Sequence, residues 1–318
     1  MLNVYLPEGD LMDSKENKDA LSEKTSLEAA MREGTILEAP AVRCSNDFDL
    51  TVDLGFASGV MKRNEVALTD GEEVKDIAVI TRVGKPVCFK VIGKGEDDDG
   101  NLFYRLSRRA AQEECRQNYL DTLLPGDVIR AKVTHLEAFG AFCDIGCGVP
   151  ALLPIDAISV SRISHPKDRL SVGQEMDVVV KSIERSAFGS VTRVYVTRKE
   201  LLGTWEENAS LFEAGQTVVG IVRSMESYGI FVELAPNLAG LAEFRSDISV
   251  GQAVAVYIKS ILPERMKIKL VIVDPYRGIP KKNGAGQIAP SMIGVTHLSR
   301  WVYSPAECQK LVMTEFDF

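Results

Sequence analysis

A short pattern recurs three times along the chain, at a spacing of about 90 residues. It reads Phe48-Asp-Leu-Thr-Val-Asp-Leu-Gly55, then Phe139-Gly-Ala-Phe-Cys-Asp-Ile-Gly146, and then Tyr228-Gly-Ile-Phe-Val-Glu-Leu-Ala235. This unit is longer than the roughly 20 to 50 residues of a solenoid repeat. It is long enough to close a small hydrophobic core of its own. The chain is therefore predicted to contain three consecutive small domains.

Other sequence features keep the same spacing. A glycine opens a run with β-branched residues at alternate positions near the start of each unit, and a Val-Gly pair opens another such run later. Alternation of this kind, broken by Gly, Asp and Asn, is typical of short half-buried strands. The pattern predicts an all-β fold of three tandem five-stranded barrels. The two sets of markers are Gly34, Gly126 and Gly215, and Val83-Gly84, Val172-Gly173 and Val250-Gly251.

Composition shifts between the units predict how the chain is divided. Helix-forming residues at 108–120 and 199–212 predict short helices that join the barrels. The charged start of the chain predicts a solvated, mobile segment, and Pro and Gly near residue 280 indicate a linker, followed by an extension with a final helix. The predicted ranges are 1–27 (mobile acidic segment), 28–121 (degenerate repeat one), 122–212 (repeat two), 213–275 (repeat three) and 276–318 (linker and extension).

Charge and hydropathy restrict the partners of the chain. No apolar stretch reaches the roughly 20 residues that span a bilayer, and no signal peptide is apparent, so we expect a cytoplasmic protein with no membrane partner. The net charge is −8, and the first 123 residues account for it with 24 acidic and 16 basic side chains. Repeats two and three are nearly neutral. Stacking would then contribute more to nucleic-acid affinity than charge does, which favours single strands over duplex DNA.

The motifs of the second unit resemble the S1-type RNA-binding repeat, which is an OB-fold barrel. They are Phe139-Gly-Ala-Phe142, Gly148, Leu152-Leu153, Val172-Gly173-Gln and Val196-Thr-Arg-Lys199. The segment Ser26-Leu-Glu-Ala-Ala-Met-Arg-Glu-Gly-Thr-Ile36, followed by Val52-Asp-Leu-Gly55, is similar to the start of the bacterial small-subunit ribosomal protein S1 family. The resemblance covers roughly residues 26–274. It implies an RNA-binding protein of translation.

The resemblance also implies where RNA binds. In the family, two aromatic residues of the F-G-x-F motif stack on unpaired bases, and here they are Phe139 and Phe142 in repeat two and Tyr228 and Phe231 in repeat three. Repeat one keeps only Phe48, because Thr51 replaces the second aromatic. The family histidine is absent, since its position falls at Pro154 and Glu243. We expect repeat two to bind best, repeat three less well, and repeat one mainly to contact protein, as part of the small ribosomal subunit.

Strict strand alternation would place the two aromatics of each motif on opposite faces. Both can lie on one face only if the intervening glycine forms a bulge or the first aromatic lies in the preceding loop. The alternative is that the rings belong to the core. We expect at least Phe142 and Phe231 to be exposed. Basic residues that would contact phosphates beside them are Lys132, Arg162, Arg193, Arg223, Arg245, Lys267 and Lys269.

Catalytic and metal-binding motifs are missing from the sequence. No phosphate-binding loop, zinc-protease helix or nucleophile elbow occurs. Cys143 and Cys147 would supply half of a zinc site, but no second pair follows, so free buried thiols are the favoured interpretation. The run Asp97-Asp-Asp-Gly100 is interpreted as a charged hairpin turn rather than a metal loop. We therefore expect no enzymatic activity, no cofactor and no metal.

Three functions remain open at this stage. The favoured one is a single-stranded RNA-binding protein that supports mRNA binding in translation, as an S1-like ribosomal protein. The second is an RNA-binding regulator that does not join the ribosome. The third is a protein-interaction scaffold that has lost its affinity for RNA, which the missing histidines and net acidity favour and the retained F-G-x-F motifs oppose.

Overall fold

The computed structural model describes residues 5–69, 82–96, 100–187, 189–278 and 287–316. Fifteen of its strands form three closed barrels, each of five strands. The predicted all-β fold of three tandem five-stranded barrels is thereby confirmed. Asp97, Asp98 and Asp99 of the predicted hairpin turn lie outside the described residues.

Barrel one closes in the strand order β1-β2-β3-β5-β4. Strands β2 and β3 alternate buried and outward-facing side chains, as the sequence pattern predicts, whereas β1 and β4 each bury three consecutive residues. Leu37, Leu50, Met61 and Phe89 are among the side chains that fill the core of this barrel. The strands are Leu37–Cys44 (β1), Leu50–Asp53 (β2), Ser58–Met61 (β3), Pro86–Glu96 (β4) and Leu102–Ser107 (β5).

Barrels two and three repeat this architecture. In each of the three barrels, the third strand pairs in parallel with the fifth, and this pairing helps to close the sheet. The strands of barrel two are Val128–Glu137 (β6), Gly140–Asp144 (β7), Pro150–Pro154 (β8), Glu175–Arg185 (β9) and Val191–Thr197 (β10). Those of barrel three are Thr217–Glu226 (β11), Gly229–Ala235 (β12), Leu238–Ala242 (β13), Ala253–Leu262 (β14) and Lys267–Pro275 (β15).

Short helices lie before barrel one, between the barrels and between two strands of barrel two. Two of them lie before barrel one, namely Lys15–Ala20 (α1) and Lys24–Glu33 (α2), and Gly34 ends α2 in a left-handed conformation. After barrel one comes Arg108–Asn118 (α3), whose first turn is capped by the Ser107 hydroxyl. Ile155–Ile158 (α4) follows β8, and Trp205–Ala209 (α5) begins with a capping box between Thr204 and Glu207. A capping box satisfies backbone N–H groups that the first helical turn leaves without partners.

The chain divides into two compact units. The first consists of residues up to Leu123 together with Asp144–Pro150 and Arg185–Thr192. The second consists of Leu124–Cys143, Ala151–Glu184 and Arg193–Phe318, so it holds most of barrel two and all of barrel three. Among the described residues, no helix combines the length and apolar character needed to cross a membrane.

In the described part of residues 1–27, Asp13, Lys15 and Lys18 are exposed as predicted, but the segment is also anchored by buried polar side chains. Glu8 and Asn17 are almost fully buried. The Asn17 side chain pairs with the backbone of Glu38, donating to its carbonyl oxygen at 2.9 Å and accepting from its N–H at 2.8 Å. Polar composition is typical of mobile segments, but these polar groups find buried partners instead. That pairing depends on contacts distant in sequence, which composition does not contain.

The C-terminal extension belongs to the second unit, and the predicted final helix is absent from its described residues. Two short strands, Arg300–Val302 (β16) and Met313–Glu315 (β17), pair with each other instead. Trp301 and Tyr303 are buried in the core cluster of barrel three, and the Tyr303 hydroxyl donates to the Asn237 carbonyl oxygen at 2.6 Å. Phe316 is buried against Val179 and Leu201. This extension is therefore part of the fold.

Candidate nucleic-acid interface

Barrels two and three each carry a pair of aromatic rings with the same geometry. The ring centroids of Phe139 and Phe142 lie 6.1 Å apart with the ring planes at 90°. Tyr228 and Phe231 have the same separation and angle. Edge-to-face pairs of this kind are a favourable arrangement of aromatic rings. The two motifs therefore build one local structure twice.

A glycine between the two aromatics explains how both rings reach one side of the barrel. β7 begins at Gly140, so Phe139 lies in the turn before the strand, as one of the two predicted alternatives requires. The Phe139 carbonyl oxygen accepts from the Ile155 N–H at 2.9 Å, which brings the turn beside the end of β8. A Cβ at position 140 would lie 2.5 Å from the Leu153 carbonyl oxygen, so only glycine fits without displacing backbone.

The two members of each pair differ in exposure. Phe139 and Tyr228 are 56% and 68% exposed. Phe142 and Phe231, which we expected to be exposed, are half-buried. Each lies on its strand with its neighbours in sequence buried, and each packs edge-to-face against the first ring of its motif. The rings are therefore outside the barrel core, and the first aromatic presents the larger accessible surface.

Strand register continues the aromatic face of barrel three across four strands. Phe231 on β12 is paired with Ser224 on β11 and with Leu241 on β13. Leu241 is in turn paired with Lys269 on β15. Leu241 is half-buried and Lys269 is exposed, while Ile268 and Leu270 beside Lys269 are buried. Phe231, Leu241 and Lys269 thus form an outward row that places a cation two strands from a stacking ring.

Barrel two has a tyrosine at the place of this lysine. Leu152 on β8 is paired with Tyr195 on β10, and both are half-buried between buried neighbours. The Tyr195 hydroxyl donates to Glu184 Oε1 at 3.1 Å. Tyr195 is therefore a third aromatic on the same side of the barrel as Phe142. Sequence reasoning missed Tyr195, and the signal that would find it is that it occupies the same fifth-strand position as Lys269 when the units are aligned.

The basic residues predicted from the sequence occupy different places. Arg193 and Lys267 lie two residues before Tyr195 and Lys269 on the fifth strands, and both are exposed, so register brings them to the same side. Arg193 lies 3.8 Å from Glu184. Lys132 on β6 lies 3.8 Å from Glu175 on β9. Strand β9 borders β6 on the edge opposite to β7, which carries Phe142.

Arg245 and Arg162 lie outside the strands. Arg245 follows β13 and pairs with Asp247 at 2.7 Å, and it also donates to the Ile272 carbonyl oxygen at 3.0 Å. Arg162 is exposed in the segment between β8 and β9. Of the predicted cations, Arg193, Lys267 and Lys269 are thus the ones that strand register brings to the aromatic rows, whereas Arg223 pairs with the buried Glu233.

Buried ion pairs hold the segment that carries Arg162 against barrel three. Glu233 on β12 accepts from Arg223 Nε at 2.7 Å and also pairs with Arg169. Arg223 lies 3.6 Å from Asp168 as well. The Ser161 N–H donates to the Pro236 carbonyl oxygen at 3.0 Å. A network with several partners keeps a defined geometry where a single surface pair would not.

The cysteines near barrel two do not form a metal site with other described residues. Within the ranges that the structure describes, no three His, Cys, Asp or Glu side chains lie close enough to hold a metal ion. Cys143 and Cys147 are buried and are not joined to another cysteine by a disulfide. Burial raises the pKa of Cys88, whose Sγ lies 3.2 Å from the Cys147 carbonyl oxygen.

Comparison with known proteins agrees with this geometry. Residues 123–194 match the family model of the S1 RNA binding domain, a range that runs from just before β6 into β10. Barrel two is therefore an S1 domain, and the chain is a protein of tandem S1-type OB-fold barrels.

The curated relatives identify the family more closely. Small ribosomal subunit protein bS1 of Staphylococcus haemolyticus is 33% identical over 239 residues, which are 70% of this chain and 57% of that protein. Its counterpart in Staphylococcus aureus is 32% identical over 240 residues, 70% of this chain and 58% of that protein. The chain belongs to the bacterial small-subunit ribosomal protein S1 family. It spans a little under three fifths of the length of these relatives.

A solved structure also resembles the chain over most of its length. It is a multidomain protein with nucleic acid binding domains from Streptococcus pneumoniae, 15% identical, and the match covers 77% of this chain and 75% of that one. The TM-score is 0.23, which is too low to infer a shared arrangement of domains.

Proposed function

We propose that the chain binds single-stranded RNA through the aromatic faces of barrels two and three and supports mRNA binding in translation, as an S1-like ribosomal protein. The observation that carries this proposal is the repeated aromatic pair, at 6.1 Å and 90° in both barrels. The family of the chain and the S1 domain at residues 123–194 support it.

Stacking supplies the affinity in this proposal. An aromatic ring stacked on a base contributes about 1–3 kcal/mol and tolerates any sequence, because every base has a π-face. Phe139, Phe142 and Tyr195 would serve in barrel two, and Tyr228, Phe231 and Lys269 in barrel three. Arg193 and Lys267 would contact phosphates beside them, and Lys132, Arg162 and Arg245 would lie at the margins of the bound strand. Repeat two would bind more tightly than repeat three, since it has a third aromatic.

The remaining parts of the proposal concern partners and place. We propose that the protein acts in the cytoplasm, that it binds RNA without catalysis, and that repeat one contacts the small ribosomal subunit. The first aromatic of repeat one, Phe48, lies under the guanidinium of Arg63 at 5.1 Å from the ring centroid, so one face of this ring is already covered. Thr51 provides no second ring.

The experiment is a fluorescence-anisotropy titration of labelled U-rich and A-rich single-stranded RNA. The test variant is Phe142→Ala/Phe231→Ala, and the control is Tyr257→Ala/Tyr276→Ala, which removes two exposed rings of barrel three that lie outside the aromatic rows. We expect the test variant to lose at least tenfold in affinity, since each lost stack removes about 1–3 kcal/mol. The control should bind like the wild type.

Two further results would separate the alternatives. If the wild type binds no RNA at all, the scaffold function replaces the proposal. If it binds RNA but does not co-sediment with small ribosomal subunits, the protein is an RNA-binding regulator that acts away from the ribosome. Thermal unfolding of each variant controls for loss of fold.

A further inference from the structure

Barrel one carries a different row of side chains at the place of the aromatic row. Arg43 on β1 is paired with Thr51 on β2, and Thr51 with Val60 on β3. Val60 is paired with Arg105 on β5. These are the positions of Ser224, Phe231, Leu241 and Lys269 in barrel three. The row therefore loses its central ring and has an exposed arginine at each end.

An aromatic residue lies beside this row on the fifth strand. Phe103 precedes Arg105 by two residues, so the two side chains point to the same outer side of β5, with buried Tyr104 between them. Phe103 occupies the position of Arg193 in barrel two and Lys267 in barrel three. In barrel one the fifth strand thus carries both a ring and a cation, and the first strand carries a second cation. The outer face still combines positive charge with a stacking surface.

Two glycines of β4 hold these side chains in place. Arg105 is paired with Gly93, and Phe103 with Gly95. A Cβ at Gly93 would lie 2.5 Å from Arg105 Nη2, and one at Gly95 would lie 2.5 Å from Phe103 Cζ. The guanidinium and the ring therefore lie flat against the backbone of β4. Any other residue at these two positions would push them away from the sheet.

The arginines of this face differ from a neighbouring lysine in their ion pairing. Among the described residues, neither Arg43 nor Arg105 has a carboxylate within salt-bridge distance, whereas the nearby Lys62 pairs with Asp49 at 2.6 Å. Asp53 lies in the adjacent row, paired with Ser58, which is in turn paired with Phe103. An arginine presents a rigid fork of donors that matches the geometry of a phosphate. The face therefore has the chemistry of a phosphate-binding surface with one ring for a base.

We propose that the β1-β2-β3-β5 face of barrel one, formed by Arg43, Phe103 and Arg105, is a third binding site for single-stranded RNA. Arg43 and Arg105 bind backbone phosphates, and Phe103 stacks on a base. This goes beyond the function proposed above, which places RNA on barrels two and three. It assigns this face of repeat one to RNA and leaves the remaining surface of repeat one for the proposed contact with the small ribosomal subunit.

Salt dependence tests the phosphate contacts directly. The affinity of the full chain for labelled single-stranded RNA is measured between about 50 and 300 mM salt for the wild type and for Arg43→Ala/Arg105→Ala. The slope of log affinity against log salt is negative, and each lost phosphate contact makes it less steep by about 0.7 for single strands. The slope of the double variant should therefore be about 1.4 less steep than that of the wild type. The control, Arg32→Ala/Lys85→Ala, removes the same charge from exposed positions elsewhere in the first unit and should leave the slope unchanged.

Phe103→Ala tests the stacking contact. We expect its affinity to fall about tenfold with the salt slope unchanged, because a stack is lost and no phosphate contact is. Gly93→Ala provides a second, independent variant that keeps every functional side chain. It should displace the Arg105 guanidinium and make the negative slope of log affinity against log salt less steep by about 0.7.

The same variants in the Phe142→Ala/Phe231→Ala background separate this site from those of barrels two and three. Residual RNA binding that Arg43→Ala/Arg105→Ala then abolishes supports the site. If Phe142→Ala/Phe231→Ala has no effect while Arg43→Ala/Arg105→Ala does, the function proposed for barrels two and three fails and this site stands. If Arg43→Ala/Arg105→Ala and Phe103→Ala match the wild type in slope and affinity, the inference is overturned, and an acidic protein surface becomes the partner to test.

Discussion

The Glu8 carboxylate and the Arg108 guanidinium form a bidentate pair in the first unit. Arg108 Nε donates to Glu8 Oε1 at 2.6 Å, and Nη2 donates to Oε2 at 3.1 Å. Both side chains are almost fully buried. Burial raises the pKa of Glu8, but the charges of Arg108 and Arg82 outweigh it and hold the pKa below its ordinary value. The pair fastens the N-terminal segment to the first turn of α3.

Glu8→Gln should therefore destabilise the first unit strongly. The substitution removes one partner of a buried pair and leaves the Arg108 charge without its carboxylate, which costs about 3–5 kcal/mol. Urea unfolding measures this as a lower midpoint with an unchanged slope. Glu16→Gln, at an exposed position of α1, is the matched control and should unfold like the wild type. Equal midpoints for both variants would mean that the pair contributes nothing to stability.

Stability should fall as the pH rises towards 8. Burial raises the pKa of Glu38 to about 8, whereas the unfolded chain ionises this group near its ordinary pKa of about 4.3. A group with a raised pKa in the folded state contributes stability that is complete below the unfolded pKa and is lost as the pH rises through the folded pKa. Between pH 6 and pH 8 this group alone should lower the free energy of unfolding by about 2 kcal/mol.

Glu38→Gln is the variant that checks this origin. A neutral amide does not ionise, so the drop between pH 6 and pH 8 should become smaller by about 2 kcal/mol, as measured by urea unfolding in matched buffers. The remaining drop is expected from Asp144, whose pKa burial raises to about 7. In the folded protein, Glu38 Oε2 accepts from the N–H groups of Gly9 and Leu11 at 3.0 and 3.1 Å, and the amide oxygen of glutamine can accept the same bonds. A variant with the pH dependence of the wild type would show that another group is responsible.

Tyr195 should contribute to RNA binding through its ring and not through its hydroxyl. Tyr195→Ala should weaken binding of single-stranded RNA by about 1–3 kcal/mol, because it removes a stacking surface. Tyr195→Phe loses the bond to Glu184 but keeps the ring, so it should bind within about twofold of the wild type. Anisotropy titration distinguishes the two. A loss of affinity in Tyr195→Phe as large as in Tyr195→Ala would assign the role to the hydroxyl.

Lys269 should contribute one phosphate contact. Lys269→Ala should lower the slope of log affinity against log salt by about 0.7, with similar losses for U-rich and A-rich RNA, since phosphate contacts carry no sequence information. Lys310→Ala removes the same charge from an exposed position of the C-terminal extension and should leave the slope unaltered. An equal change in the two variants would indicate a general effect of net charge.

The C-terminal extension should be necessary for full stability of the second unit. Phe316→Ala removes a ring that is buried against Val179 and Leu201, which costs about 3–5 kcal/mol. Leu311→Ala, in the same extension but 59% exposed, should cost little. Urea unfolding followed by tryptophan fluorescence measures both, because Trp301 and Trp205 are buried in this unit. A stable Phe316→Ala variant would mean that the extension is only loosely attached.

Part of the candidate site was predictable from the sequence because the motif itself encodes it. Phe139-Gly-Ala-Phe142 names both rings, and Gly140 indicates the turn that brings them to one side. Tyr195 was not identified in this way, and Lys269 was predicted only as one of several basic residues, because each lies in a strand that is distant in sequence. Their place beside the rings follows from the parallel pairing of the third and fifth strands, which no local pattern records.

The same limit explains the arginine face of barrel one. The first 123 residues of the chain carry more acidic than basic side chains, and Thr51 replaces the second ring of the motif. The sequence therefore favours a protein contact for repeat one. Arg43 and Arg105 are 62 residues apart in the chain, and only the barrel register places them at the two ends of one row. Net charge describes a whole domain, whereas binding depends on the charges of one face.

The sequence by itself determined three barrels, their strand alternation and the aromatic motif, because repetition, period-two burial and glycine requirements act between near neighbours in the chain. The tertiary structure decided which strands lie side by side, that Glu8 is buried against Arg108, and that the extension ends with Phe316 in a core. These outcomes depend on contacts between residues far apart in sequence. Burial then gives such contacts their energy, since polar groups and rings removed from water need partners that local propensity does not supply.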